Sequence, residues 1–192
     1  ATLDRFNVKL KVEGLEFIDP EKKYIIAATH PIGSLDGLAL MDVVGTIRKD
    51  ILFPVNDLLM NVPQLKPLFI PINKHGSNVE NARIIDQAFA SKSIMLFFPA
   101  GLVSRKKKGV IEDLEWKKTF IRKSRDYLRD VIPTYIEGVN SSFFYNLANW
   151  RARLGIKMNL EMLYLADEMF KQDGKEIKII FGKPIPYQTF DR

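Results

Sequence analysis

A histidine and an aspartate six residues apart are the side chains of this sequence best suited to acid–base chemistry. They lie in the segment THPIGSLDG, in which His30 follows an apolar run and Asp36 stands at the front of a helical pattern. A carboxylate near a helix start is stabilised by the helix dipole and can accept a hydrogen bond from an imidazole N–H. We therefore predict that His30 and Asp36 form a general-base pair. The alternative is that Asp36 only caps a helix and that His30 is an ordinary strand-end residue.

The other histidine, His75, is a weaker candidate for a base. It lies in the polar segment NKHGS, whose composition is typical of a turn. We interpret His75 as a loop residue.

A second segment with functional potential is FFPAGLVSR, residues 97–105, in which an apolar run breaks into a Pro/Gly turn before basic residues. Gly101 would let backbone N–H groups approach a ligand closely, and Arg105 could bind a phosphate or carboxylate. The alternative is a common strand-to-turn junction followed by a solvated basic loop at residues 105–108.

The elements predicted around these segments alternate between strands and helices. Strands are predicted at residues 6–12, 23–29, 51–55, 68–72, 94–98, 131–136 and 177–182, and helices at residues 35–48, 79–90, 117–129, 143–153 and 160–171. This order is typical of an α/β fold with a mainly parallel central sheet and helices on both faces. Ligands bind such sheets beyond the carboxyl ends of the strands, which is where His30 is expected.

Composition limits the classes of protein to consider. The chain has 192 residues, of which 46% are hydrophobic and 27% charged, so we expect one globular domain. It has no cysteine, which excludes disulfides, thiolate metal sites and a cysteine nucleophile. The longest apolar stretch, residues 94–103, is too short to span a membrane. A net charge of +6 favours an anionic partner such as a phospholipid surface, a nucleotide-bearing cofactor or nucleic acid.

The first residues, ATLDRFNVKL, carry neither a signal-peptide pattern nor an initiator Met. This start is consistent with a trimmed chain or with a domain from a longer protein, and it does not reveal where the protein is targeted.

Four blocks in order resemble the glycerolipid and lysophospholipid acyltransferase family, typified by 1-acylglycerol-3-phosphate acyltransferase. The blocks are His30 with Asp36, LFIPI at residues 68–72, FPAG at residues 98–101 and VIPT at residues 131–134. The resemblance extends over residues 24–186. It implies a single acyltransferase domain over residues 1–192 with a glycerol-3-phosphate acyltransferase-like fold.

Three departures from the family pattern indicate a particular branch. Five residues instead of four separate His30 from Asp36, which resembles the hemolysin-like branch that includes bacterial acyltransferases for ornithine and glycine lipids. Ala100 replaces the usual Glu of the third block, and Asn73 with Lys74 replaces the usual Arg after the second. Since those family residues help to hold glycerol phosphate, their replacement argues against a glycerol-3-phosphate or lysophosphatidate acceptor.

The resemblance also implies a mechanism. His30 would remove the proton from an acceptor hydroxyl as it attacks the thioester of acyl-CoA or of acyl carrier protein, with Asp36 fixing the imidazole tautomer. No metal and no bound cofactor are expected. Backbone N–H groups near Gly33 or Gly101 are candidates to stabilise the oxyanion. The residues expected to bind substrate are Asn73, Lys74, Phe98, Pro99, Gly101, Ser104 and Arg105.

A lysolipid acceptor requires apolar contacts and access to a membrane. The apolar side chains nearest the motifs are Leu58, Leu59, Met60, Val62, Leu65 and Leu68, which would line an acyl groove or simply fill the core. The segment with Phe143, Phe144, Tyr145, Leu147, Trp150, Arg151 and Arg153 is either a membrane-interface helix or a core helix. We expect a cytoplasmic enzyme of lipid biosynthesis, peripherally associated with the inner face of a bacterial membrane, and no nucleic-acid partner.

Two other classes of function remain to be distinguished. One is a serine hydrolase that uses Ser34 or Ser104 with His30 and Asp36, although the sequence has no G-x-S-x-G elbow. The other is a non-catalytic basic module that binds anionic lipid or nucleic acid through residues 105–108 and 117–125, although no nucleic-acid motif supports it.

Overall fold

The computed structural model describes residues 6–55, 63–71 and 78–190 of the chain. In this part the strands are β1 (Lys9–Glu13), β2 (Tyr24–Ala28), β3 (Ile51–Val55), β4 (Phe69–Pro71), β5 (Ile94–Phe97), β6 (Arg105–Lys107), β7 (Val110–Glu112), β8 (Asp130–Ile136) and β9 (Glu176–Phe181). The α-helices are α1 (Ser34–Val44), α2 (Asn78–Ala90), α3 (Thr119–Asp126), α4 (Ser142–Arg153) and α5 (Leu165–Phe170). Short 3₁₀ helices occupy Leu15–Phe17, Lys66–Leu68, Leu160–Tyr164 and Tyr187–Phe190.

Seven strands form one sheet in the order β1-β9-β8-β2-β5-β3-β4. β2 lies in the middle and pairs in parallel with both β8 and β5. The pair β8–β9 is antiparallel, so that β9 and its parallel partner β1 run against the other five strands. The mainly parallel sheet predicted from the sequence is therefore confirmed.

The side chains of β2 show why the sheet is covered on both faces. Tyr24, Ile26 and Ala28 point into a core shared with α1, whereas Ile25 and Ala27 point into a core shared with α2 and α3. All five are buried, which explains why this strand is a continuous apolar run instead of an alternating one. Helices on both faces were expected, and this is confirmed.

Three of the five predicted helices are shorter in the structure, namely those predicted over residues 35–48, 117–129 and 160–171. α1 ends at Val44 and not at residue 48, and the chain continues in a tighter turn, in which the Thr46 N–H donates to the Val43 carbonyl oxygen at 3.1 Å and the Ile47 N–H to that of Val44 at 3.0 Å. The helix predicted over residues 160–171 is divided into the 3₁₀ helix Leu160–Tyr164 and the short α5.

The basic segment 105–108 is part of a β-hairpin instead of a solvated loop. β6 and β7 pair antiparallel, with Arg105 opposite Glu112. Lys108 and Gly109 join the strands and both have positive φ, 47° and 88°, as two-residue hairpin turns of type I′ require.

In the part of the chain that the structure describes, no helix is long and apolar enough to cross a bilayer.

Candidate active site

The structure brings His30 and Asp36 together beyond the carboxyl end of β2. The imidazole Nδ1 lies 3.0 Å from Asp36 Oδ2; the Asp36 side chain is fully buried, and 16% of the His30 side chain is exposed. An ionised carboxylate only accepts hydrogen bonds, so Nδ1 carries the proton in this pair. Nε2 then keeps its lone pair, which is the state that a general base requires.

The short loop between the two residues folds around the Asp36 carboxylate. Oδ2 also accepts the N–H groups of Ile32 at 2.8 Å and of Gly33 at 2.9 Å. Gly33 adopts φ 108°, a conformation that L side chains rarely adopt. This loop lets the third residue of α1 cap the helix N-terminus and hold the imidazole at the same time.

Phe98 fixes the plane of the imidazole. The His30 and Phe98 rings stack with centroids 4.2 Å apart and an interplanar angle of 15°. Phe98 in turn packs edge-on against Phe53, with centroids 5.3 Å apart. A Cβ at Gly37 would lie only 2.9 Å from the Phe53 ring, so this glycine leaves room for the aromatic stack. The third sequence block thus contacts the first through an aromatic ring.

Asp113 is a site residue that the sequence analysis missed. Its carboxylate oxygens lie 3.2 and 3.3 Å from the His30 backbone N–H that donates to them. They also accept the Ser104 hydroxyl at 2.5 Å and the Trp116 indole N–H at 3.0 Å. Asp113 therefore joins the His30 loop, the segment after Phe98 and the segment before α3.

The opposite side of the His30 loop is held by residues before and after α4. Asn140 is buried and donates through Nδ2 to the Pro31 carbonyl oxygen at 3.2 Å. The Leu165 side chain lies 3.1 Å from the position that a Gly33 Cβ would take. The loop is consequently packed between two parts of the chain that are distant in sequence.

The two glycines predicted to stabilise an oxyanion do not have free N–H groups. The Gly33 N–H donates to Asp36, and the Gly101 N–H donates to the Phe98 carbonyl oxygen at 3.0 Å. An oxyanion role for either of these two N–H groups would require its present hydrogen bond to break, so an oxyanion contact near either glycine would fall to the N–H groups of neighbouring residues.

Ser104 and Arg105, expected to bind substrate, are both buried. The Ser104 N–H donates to the His30 carbonyl oxygen at 2.8 Å, which ties this segment to the His30 loop. Arg105 donates to Glu161 Oε1 at 2.8 Å, and Arg151 donates to Glu161 Oε2 at the same distance. Burial lowers the pKa of the Arg105 guanidinium, which Glu161 partly offsets. A phosphate contact by Arg105 would require this buried ion pair to open.

Several other predicted residues can be placed only in part. Phe98 stacks on His30. Pro99 directly follows Phe98 in the chain and is buried. Leu65 and Leu68 pack against the main core. Asn73, Lys74, His75, Leu58, Leu59, Met60 and Val62 lie outside the described residues.

Lys117 is a cation at the site that the sequence analysis did not single out. Its backbone N–H donates to the Pro99 carbonyl oxygen at 3.1 Å. Its Nζ lies 3.4 Å from the position that a Gly101 Cβ would take. A positive charge therefore stands over the exposed turn that follows Phe98.

Of the α4 residues named for either a membrane interface or the core, only some are exposed. Phe143 and Trp150 are exposed and Leu147 is half-buried. Phe144 and Tyr145 are buried in a separate apolar cluster with Val103, and burial raises the pKa of the Tyr145 phenol. For these two residues the core alternative is correct, because they face the interior.

Neither serine proposed for a hydrolase lies in a triad arrangement. Ser34 is exposed at the start of α1, and the Ser104 hydroxyl donates to Asp113, with the His30 carbonyl oxygen 3.3 Å away. In the described part of the chain, no group of three or more His, Asp or Glu side chains is placed to hold a metal ion.

Comparison with known proteins decides between the remaining classes. The sequence pattern of an acyltransferase family matches residues 1–191. The chain belongs to this acyltransferase family. Membership confirms the family resemblance found in the motifs, and it argues against both the hydrolase and the nucleic-acid module.

Two curated bacterial relatives cover the whole chain. The chain is 49% identical to a lyso-glycine lipid O-acyltransferase of Bacteroides thetaiotaomicron and 47% identical to one of Phocaeicola vulgatus. It spans 71% and 70% of their lengths. Both relatives are O-acyltransferases, in agreement with the enzyme class predicted from the sequence.

A solved structure shows the same fold. The 1-acyl-sn-glycerophosphate acyltransferase PlsC of Thermotoga maritima matches 96% of this chain with a TM-score of 0.61 at 18% identity. The chain spans 64% of the length of that protein. The expected fold class is thereby confirmed.

Proposed function

We propose that this acyltransferase moves a fatty acyl group from a thioester to the hydroxyl of a lyso-glycine lipid, with His30 as the general base. The observation that carries the proposal is the hydrogen bond between His30 Nδ1 and Asp36 Oδ2, in a chain 49% identical to a lyso-glycine lipid O-acyltransferase.

The acyl group is transferred directly from the thioester to the acceptor, and His30 carries the proton between them. His30 Nε2 takes the proton of the acceptor hydroxyl as its oxygen attacks the thioester carbonyl carbon. The tetrahedral intermediate collapses, the carbon–sulfur bond breaks, and His30 returns the proton to the leaving thiolate. Asp36 stabilises the imidazolium that exists between the two steps.

The arrangement around Gly101 suits an acceptor that carries a carboxylate. Ala100, which replaces the acidic residue of the phospholipid-making relatives, is buried and uncharged. Lys117 Nζ stands at the Gly101 turn. This turn comes three residues after Phe98, whose ring stacks on His30. We assign Lys117 to the glycine carboxylate of the acceptor.

The donor is a long-chain acyl thioester of CoA or of acyl carrier protein, and no bound cofactor or metal takes part. Because lysolipids reside in membranes and both thioesters are cytoplasmic, the enzyme works at the inner face of the bacterial membrane. The product is a membrane lipid.

The test is acceptor-dependent thiol release by the purified chain, with acyl-CoA and acyl carrier protein as donors and lyso-glycine lipid or lysophosphatidate as acceptors. We expect release with lyso-glycine lipid and a loss of at least about a hundredfold in His30→Ala and in Asp36→Asn. Asp42→Asn is the matched control, since Asp42 is an exposed carboxylate on the same helix. Unchanged release in His30→Ala contradicts the mechanism, and preference for lysophosphatidate contradicts the acceptor.

A further inference from the structure

α4 is apolar on two faces, only one of which the protein covers. Phe144, Tyr145 and Ala148 are buried. Phe143 and Trp150, seven residues apart and hence on one side of the helix, are half or more exposed. A helix with a second apolar face turned to solvent is typical of an interaction surface.

The exposed apolar side chains continue past the end of α4. We call this set the α4 apolar surface; its members are Phe143, Trp150, Leu154, Met158, Leu163 and Tyr164. The Phe143 and Tyr164 rings meet edge-on with centroids 5.0 Å apart. Arg151 ties the connecting segment back to α4, since it donates to the Ile156 carbonyl oxygen at 2.7 Å and to Glu161 at 2.8 Å. The surface is therefore held in place and is not a loose loop.

The α4 apolar surface adjoins the catalytic loop. Leu165 follows Tyr164 directly and packs against Gly33, between His30 and Asp36. At the other end, Asn140, three residues before Phe143, donates to the Pro31 carbonyl oxygen. The surface is therefore continuous in the chain, at both ends, with residues that pack on the His30 loop.

The charges around the surface suit an anionic partner. Arg153 and Lys157 are exposed between residues 139 and 171, and Asp167 is the exposed acid of this stretch; Lys171 is also exposed but already pairs with Glu168. The two glutamates there are buried, Glu161 against Arg105 and Arg151, and Glu168 against Lys171 and Ser141.

From these observations we infer that the α4 apolar surface docks on an anionic lipid bilayer, with Trp150 and Leu163 in the interface and the cations at the phosphates. Aromatic and aliphatic side chains beside Lys and Arg are the combination that holds proteins at bilayer surfaces. The inference rests on the proposed function, because an enzyme that acylates a lipid must reach its acceptor in the bilayer.

Binding is measured by co-sedimentation with phosphatidylglycerol vesicles, with phosphatidylcholine vesicles as the uncharged comparison. The sequence has two tryptophans, so in Trp116→Phe the emission reports on Trp150 alone. We expect a blue shift with phosphatidylglycerol and at least about tenfold weaker binding in the double variant Trp150→Ser/Leu163→Ser. Leu128→Ser is the matched control. Leu128 is an apolar side chain that is 57% exposed, and it lies outside the α4 apolar surface, between α3 and β8.

Two results overturn the inference. One is equal vesicle binding by the double variant and by Leu128→Ser. The other is a wild-type dimer that does not bind vesicles and that the double variant dissociates, which would assign the surface to a second copy of the chain.

A soluble assay separates this inference from the proposed function. With a water-soluble short-chain lyso-glycine lipid, the double variant should keep wild-type transfer while it loses transfer to acceptor in vesicles. If the wild type binds vesicles through the surface but transfers no acyl group to any acceptor, the docking stands and the proposed function fails.

Discussion

Asp113 accepts the backbone N–H of His30, although the two residues are 83 positions apart in the chain. The same carboxylate accepts the Ser104 hydroxyl and the Trp116 indole N–H. Three chain segments therefore meet at one carboxylate directly behind the proposed base, and the position of the imidazole depends on a residue that does not touch its ring.

We predict that Asp113 is a positioning residue whose loss lowers kcat and leaves KM for the thioester nearly unchanged. Asp113→Ala should reduce kcat by about tenfold or more, because misplacement of a reacting group is costly. Asp113→Asn keeps an oxygen that can accept the His30 N–H and should retain more of the activity. Steady-state kinetics on both variants, with melting temperatures, provide the check; a loss in KM alone, or equal losses in both variants, contradicts a positioning role.

Gly37 is predicted to be essential to the aromatic stack beneath His30. In Gly37→Ala the new Cβ would lie 2.9 Å from Phe53 Cε1, so Phe53 must move and Phe98 with it. Overpacking of this kind costs about 1–3 kcal/mol of stability, and we expect activity to fall as well. Phe53→Leu in the same chain should restore part of both losses, as measured by thermal unfolding and thiol release. No recovery in the double variant would show that the ring contact is not the cause.

Glu168 is predicted to contribute stability that acid removes. Burial raises its pKa, but hydrogen bonds from Lys171 and Ser141 outweigh burial and hold the pKa of this carboxyl below its usual 4.5. A carboxyl with a lowered pKa in the folded state stabilises the protein above pH 4.5, and this contribution is lost as the pH falls through the folded-state value.

Melting temperatures between pH 7 and the acid range test this sign. Glu168→Gln should be less stable than the wild type at neutral pH, and the difference should narrow in acid. Asp167→Asn is the adjacent control, because Asp167 is exposed. A difference between Glu168→Gln and wild type that does not change with pH would refute the assignment.

Arg129 is predicted to be a structural residue at the amino ends of the central strands. It is fully buried and donates to the carbonyl oxygens of Phe89 at 2.7 Å and of Ser91 and Ser93 at 2.6 Å. Burial lowers its pKa to about 10. Arg129→Met should lower the free energy of unfolding by roughly 3 kcal/mol or more, since these acceptors would lose their donor. Denaturant unfolding against exposed Arg125→Met measures the difference, and equal stability of the two variants contradicts this role.

Sequence patterns were sufficient to predict contacts between residues that are close together in the chain. His30 and Asp36 lie six residues apart on one strand-to-helix turn, so their types and spacing predicted the pair, and apolar runs predicted the sheet. Asp113 could not be found in this way, because its contact with His30 depends on how the β6–β7 hairpin returns to the sheet.

Charge and amphipathicity did not show which residues are buried and which are exposed, for the same reason. A basic run usually lies in solvent, but Arg105 is buried against Glu161, 56 residues further along the chain. In α4, apolar residues occur on two sides, so periodicity alone could not tell the buried Phe144 from the exposed Phe143. In each case the deciding partner is remote in sequence.

Lys117 provides the last prediction, which concerns the acceptor head group. Its Nζ stands at the Gly101 turn, three residues after the Phe98 ring that stacks on His30. Lys117→Met should raise KM for lyso-glycine lipid by about tenfold, as expected for the loss of one charged contact, and leave KM for the thioester unchanged. Lys118→Met is the matched control, since the neighbouring lysine is also exposed. If Lys117→Met raises KM for the thioester instead, the cation binds the donor, and the assignment of Lys117 to the glycine carboxylate is wrong.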